Sequence, residues 1–200
     1  MRISSAVRRE QLVDATIQVM REKGVQSVTM REVAKLANAS LAAVHYCFKD
    51  KDDLIHAACE RWLKEMLPET MRSKTGGGVR AAVQNMLEAW WDSLEKAPNN
   101  AHAQFELFLW AVRNSDRIRQ LMYPLYLNEI VSVLQQEQKD TGESCDWDLM
   151  AIARSLLVIV DGCSFQYFAD PQGSNAKTLS FAMIDAIFAK AKVTTIKRAS

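Results

Sequence analysis

Apolar residues recur at three- and four-residue spacing along most of the chain, and breaks in that rhythm divide it into helices. Leu12, Val13, Ile17, Val19 and Met20 share one broad face of a helix predicted over 5–23, with Gly24 as its stop. "TMREVAKLA" follows, where Thr29 and Glu32 form a capping-box pattern and Val33, Ala34 and Ala37 a narrow stripe, predicting a short helix over 30–37. Asn38 tolerates the left-handed backbone of a tight turn, and Ser40 can cap another short helix over 41–46. Asp50 and Asp53 open a longer helix, 51–72, with Leu54, Ile55, Ala58, Trp62 and Leu63 on its apolar side. Further helices are predicted near 79–96, 101–114, 116–140, 146–169 and 175–192, punctuated by "KAPNN", "RNSD", "DTGESCD" and "DPQGSN". Pro124 is expected to kink the third of these. The alternation that marks strands is absent.

The predicted architecture is all-α. Helix, tight turn, short helix and long exit helix make a helix-turn-helix unit, so the expected segments are 1–50, a connecting helix 51–72, and a larger helical domain 73–200. The triple glycine Gly76–Gly78 is the expected flexible joint.

Composition adds limits. With 48% hydrophobic and 24% charged residues in 200, the chain is ordinary for a soluble globular protein. No apolar run approaches the roughly 18 residues that span a bilayer, and no signal-peptide core is present. The four cysteines, at 47, 59, 145 and 163, form no CxxC pair and are expected as reduced thiols in the cytoplasm. The formal net charge of +1 conceals an asymmetry, because residues 1–51 hold nine Lys+Arg against five Asp+Glu. Extending that segment to Glu60 adds three acids, so the excess is confined to the amino-terminal end. It suits an anionic partner there.

"NASLAAVHYCFKDKDDL", Asn38 to Leu54, carries the candidate chemistry. If Val44 and Phe48 face a small core, then Leu41, Ala42, Ala43, His45 and Tyr46 are left free. In a DNA major groove alanines can touch thymine methyls and an imidazole can bond base edges or phosphate. Thr29, Ser40 and Tyr46 are neutral donors for phosphate oxygens, Arg31 sits with Thr29 and Ser40 at helix amino termini, and Lys49 and Lys51 supply charge. The competing account is that His45 and Tyr46 only cover a small core. Arg2, Arg8 and Arg9 form a candidate arm toward backbone or minor groove, with a frayed basic terminus as the alternative.

Residues 8–55 closely resemble the DNA-binding domain of the TetR/AcrR family of bacterial transcriptional regulators, through "RREQLVDATIQVMREKG", "VTMREVAKLANAS" and "VHYCFKDKDDLI". The resemblance implies that helix 41–46 enters the major groove, with Tyr46, Thr29, Ser40 and Lys51 at phosphate positions. It also implies a homodimer built from the last two helices. Asn38 stands where glycine is usual, "LAA" replaces a more polar run, and Cys47 replaces a common His or Tyr. With fewer polar side chains at the bases, methyl contacts and DNA shape should carry more of the specificity.

The larger domain is aromatic-rich, with Trp90, Trp91, Phe105, Phe108 and Trp110 close in sequence, then Met122, Tyr123 and Tyr126, and Asp161, Phe165 and Gln166 in helix 146–169. These are the candidate contacts for a small, largely apolar or aromatic effector, with Glu106 and Asp161 as carboxylates that could meet a lipophilic cation. A well-packed core is the competing explanation. Ala182, Ala186 and Ala189 form a stripe that permits close helix approach, compatible with the dimer and with internal packing alike. The expected mechanism is a repressor on a pseudo-palindromic operator, released by the effector. An activator, or an architectural DNA binder without effector, is the alternative.

Enzyme chemistry is not expected, because His45, His56 and His102 have no recognisable nucleophile and carboxylate companions and no GxSxG or phosphate-cradling motif occurs. No cofactor, metal or membrane partner is expected; "HAAC", His56–Cys59, offers only two ligand types on one face.

Overall fold

A computed structural model describes residues 4–71 and 77–195. The helices in chain order are α1 (Ser5–Lys23), α2 (Met30–Leu36), α3 (Leu41–Cys47), α4 (Lys51–Met71), α5 (Gly78–Lys96), α6 (Pro98–Asn114), α7 (Asp116–Thr141), α8 (Leu149–Ala169) and α9 (Ala176–Lys190). A 3-10 turn, Val25–Ser27, follows α1. Two three-residue strands, β1 (Glu143–Cys145) and β2 (Val193–Thr195), pair antiparallel with Ser144 opposite Thr194. The all-α expectation holds; these two short strands add to it, and three residues are too few to display alternation in the sequence.

Two compact units result: Met1–Met66 with Ala97–Leu125, and Leu67–Lys96 with Tyr126–Ser200. In the first unit the inward face of α4 (Leu54, Ile55, Ala58, Trp62) closes a core with Leu12 and Met20 of α1, Val28, Val44 and Phe48, every one of them at most 1% exposed. Each large apolar side chain so buried contributes about 1.5–3 kcal/mol. α6 packs on α1 and the turn after it. There Gly24, at φ +79°, ends α1 and donates its N–H to Met20 O at 3.1 Å. Its bare Cα also admits α6: a Cβ at that position would lie 2.5–2.6 Å from the Glu106 carboxylate oxygens. α6 starts three residues earlier than expected because Pro98 takes the first helical position, where its missing N–H costs nothing.

In the second unit α8 and α9 pack as a pair, and α5 lies against both. Trp91 is fully buried, donates its indole N–H to Ser180 Oγ at 2.9 Å and meets the Tyr167 ring edge-on at 5.6 Å between centroids. Trp90 donates to Ser164 Oγ at 3.0 Å. The glycine run behaves unlike a joint where it is described. Gly78 is buried at φ +83° and donates its N–H to the buried Glu137 carboxylate at 3.2 Å, while Val79 N–H donates to Glu143 at 2.8 Å. Two carboxylates therefore occupy the positive end of α5 and fix it; Gly76 lies outside the described residues. α7 runs on through Pro124. By length and composition alone α8 is apolar enough to cross a bilayer, as a core helix of a globular domain also can be; Arg154 and Asp161 interrupt its apolar run.

Candidate nucleic-acid interface

Four local devices set the pose of α3. Thr29 Oγ1 accepts the Glu32 N–H at 3.0 Å, starting α2. Asn38, at φ +47°, is the one non-glycine residue with positive φ among those described, and it makes the turn that glycine would make more easily. Ser40 Oγ accepts from Ala43 N–H at 3.1 Å and starts α3. Asp50 Oδ1 accepts from Asp53 N–H at 2.8 Å and starts α4. The capping box at Thr29 is only half formed: Glu32 pairs with Lys23 rather than reaching back to the cap. That hydrogen-bonded pairing lowers the Glu32 pKa and raises that of Lys23.

A seven-residue helix is not stable alone. Val44 and Phe48, 0% and 1% exposed, anchor α3 from behind, and Arg9 lies over the Phe48 ring at 4.3 Å. The outward side then holds Leu41, Ala42, His45 and Tyr46, the last 81% exposed, with Ala43 half-buried. Thr29, Arg31, Ser40 and Lys49 are also exposed. The account in which His45 and Tyr46 merely cover the core does not describe this geometry. Lys51 is half-buried, with its ammonium 5.8 Å from the centre of the Trp110 ring, and burial lowers its pKa. Arg8 and Arg9 belong to α1, which Ser4 caps through Val7 N–H at 3.3 Å, so they are not part of an arm. Arg2 lies outside the described residues.

The candidate effector residues are divided between the units. Phe105, Phe108, Trp110, Met122 and Tyr123 belong to the first; Trp90, Trp91, Tyr126, Asp161, Phe165 and Gln166 belong to the second. Trp91, Met122 and Phe105 are core residues at 0%, 2% and 9% exposure. Phe108 and Tyr123 stack edge-to-face at 4.9 Å. Phe165 and Gln166 are exposed on α8, and Trp90, Tyr126 and Asp161 are half-buried. A cleft of about 360 Å³ on the first unit is lined instead by Asp14, Ile17, Gln18, Arg21, Glu22 and Glu65. Its acidic lining suits neither phosphate nor an apolar molecule.

Sequence spacing gave no sign of one polar contact. Arg117 donates to Asp53 Oδ1 at 3.3 Å across 64 positions, and Asp53 Oδ2 accepts the Lys49 N–H at 3.3 Å. Burial, and then the charge of Arg117, lower the pKa of His56. Cys59 of "HAAC" is buried, and burial pushes its thiol far up, which disfavours the thiolate a metal needs. Among the described residues no group of three or more His, Cys, Asp and Glu could hold a metal ion.

Comparison with known proteins agrees with this geometry. The sequence profile of bacterial regulatory proteins, tetR family, matches residues 12–58. The chain is 40% identical to the HTH-type nicotine-responsive transcriptional repressor HdnoR of Paenarthrobacter nicotinovorans over 192 residues, 93% of this chain and 96% of that protein. Among solved structures, a transcriptional regulator from Rhodococcus sp. Rha1 superposes with a TM-score of 0.73 at 23% identity, over 93% of this chain and 98% of that one. A transcriptional regulator from Saccharomonospora viridis in complex with choline superposes at 0.68 and 18% identity, over 94% and 99%. These two likenesses concern the fold. With the helix-turn-helix in place and a relative matched along nearly its whole length, the chain belongs to the tetR family: it is a DNA-binding transcriptional regulator and not an enzyme.

Proposed function

We propose that this regulator is a homodimeric, cytoplasmic repressor that binds a pseudo-palindromic operator and leaves it when a small organic amine binds. The observation that carries the DNA half is α3, anchored by Val44 and Phe48 with Leu41, Ala42, His45 and Tyr46 outward. Arg31, Lys49 and Lys51 supply charge, Thr29, Ser40 and Tyr46 phosphate hydrogen bonds, and the alanines a close approach to the groove floor.

The dimer half of the proposal draws on α8 and α9. Val158 and Phe165 are 70% and 48% exposed, Leu179 and Met183 37% and 41%, and Ala182, Ala186 and Ala189 are exposed between them. A Cβ on Gly162 would meet nothing within 4 Å. Small and apolar residues in one stripe fit a second copy of the same helices, and the two half-sites of a pseudo-palindromic operator lie about 34–36 Å apart.

Repression and the effector class draw on the relative named a nicotine-responsive repressor. Nicotine joins an aromatic ring to a basic amine, and the fold neighbour holds choline, a quaternary ammonium. Trp90, Tyr126 and Asp161 of the second unit offer aromatic faces and a carboxylate for such a molecule. An effector shifts operator affinity only by its differential affinity for the two protein states.

The test is a mobility-shift titration with promoter DNA flanking the protein's own gene, with and without nicotine. Saturable binding at least about a thousandfold tighter than to random DNA, weakened by nicotine, is expected. Equal affinity for both DNAs would sink the regulator reading. Tight binding untouched by nicotine would sink the effector assignment alone.

A further inference from the structure

The two lysines after the recognition helix are braced by residues far along the chain. Lys51 opens α4 and its ammonium faces the Trp110 ring of α6 at 5.8 Å. Lys49 hangs from a backbone that is itself tied down. Its N–H donates to one oxygen of Asp53, whose other oxygen accepts from Arg117 in the first turn of α7, both at 3.3 Å. Asp53 N–H in turn donates to Asp50. One corner of the first unit, the end of α6 and the start of α7, thus touches the supports of both lysines.

Fold stability does not account well for these contacts. Trp110 is half-buried, unlike the fully buried Trp62, and the Arg117–Asp53 pair is exposed at 56% and 30%. Such pairs stabilise folds little. Their effect on a phosphate-binding surface is larger. A lysine side chain is among the most costly to immobilise, and a ring against one side of the ammonium restricts it while leaving N–H donors open. Arg117 also neutralises a carboxylate that would otherwise repel the DNA backbone beside Lys49.

We infer that Trp110 and Arg117 are positioning residues for operator binding, acting through Lys51 and Lys49, although both lie outside the helix-turn-helix. The inference rests on the reading of those lysines as phosphate contacts. It also assigns Trp110 to DNA binding rather than to the effector.

The experiment is a double-mutant cycle on the full chain, with operator affinity measured by fluorescence anisotropy across a salt series. Lys51→Met should weaken binding and make the salt slope shallower by about 0.9 for each phosphate left without its cation. Trp110→Leu should weaken binding about threefold, the size an exposed cation–π pair supports, and should do nothing further in the Lys51→Met background. Trp110→Phe, which keeps a ring, should stay within about twofold of the parent on the same ground. Arg117→Gln should weaken binding by a similar factor in either background, with Arg117→Lys restoring most of it. Operator binding unchanged by Lys51→Met would show that Lys51 does not touch DNA, ending the inference and that part of the interface together. Weaker binding with Lys51→Met, but a silent, tighter-binding or fully additive Trp110→Leu, overturns the inference alone. A drop with Trp110→Phe as large as with Leu would assign the effect to packing and overturn it as well. Should the Leu variant melt below the assay temperature, the Phe and Arg117 variants decide.

Discussion

α3 and α9 each bury one side and leave the other to solvent, yet they expose different chemistry and are held in different ways. α3 buries one of its seven residues, Val44, and is held at both ends by caps. Its free side mixes small apolar groups with a phenol and an imidazole, which suits a groove of methyls, base edges and phosphates. α9 buries Ala176, Ser180, Ile184 and Phe188, a regular four-residue series along its whole length. Its free side carries alanines with Leu179 and Met183, flanked by Thr178, Asp185 and Lys190, so its middle offers a partner mainly apolar area. A short helix positioned by its ends can present polar chemistry at a defined angle; a long helix positioned along its side can present area.

The largest expected effect comes from breaking the apolar side. Val158→Asp on α8, at a position 70% exposed, should keep the helical content but give a monomer in sedimentation, with a thermal midpoint that no longer depends on protein concentration. Operator affinity should fall about a hundredfold or more, because the second half-site no longer adds avidity. A dimer that persists at micromolar concentration would move self-association elsewhere.

Next is the frame behind α3. Gly24→Ala, at φ +79° and ψ 161°, enters a region that side chains rarely adopt, and should cost about 1–3 kcal/mol in chemical denaturation. Adding Glu106→Ala should recover only the share caused by the close carboxylate, so an unchanged midpoint in the single variant would contradict the described turn.

On the polar side, Tyr46→Ala should weaken binding to every operator variant about tenfold, as removal of a phosphate hydrogen bond would. Ala43→Val should instead reorder preference among variants. The opposite assignment of these two phenotypes would mean that α3 lies differently in the groove.

The smallest effect concerns pH. His56 is held below its ordinary value, so on acidification the unfolded chain takes up the proton first. Stability present above about pH 6.5 therefore declines as pH falls through that value. His56→Gln should flatten the thermal midpoint between pH 7 and 5; an unaltered profile would place the acid sensitivity on another group.

Helices α1 to α4 were legible because local chemistry marks their ends. Ser4, Thr29, Ser40 and Asp50 are caps, Gly24 and Asn38 are turns, and every residue of the expected apolar faces of α1 and α4 is buried, with Ala15, Thr16 and Cys59 buried beside them. Other features depend on contacts between distant segments, which spacing cannot reveal. Glu137 and Glu143 turned a glycine run into the anchored start of α5. Asp53 found Arg117, and the aromatic cluster around residue 108 divided between two units. Trp91 looked like a ligand contact because a buried, hydrogen-bonded tryptophan and a pocket tryptophan have the same sequence signature; only Ser180, 89 residues away, distinguishes them.

The tryptophans fall into unequal surroundings, and that gives the protein built-in optical labels. Trp62 and Trp91, sealed from water, should emit toward the blue and resist soluble quenchers such as acrylamide. Trp110, partly wet and beside a cationic amine, should emit further to the red and respond when a polyanion draws that amine away. Emission resolved by quencher accessibility would then follow operator engagement without any attached dye.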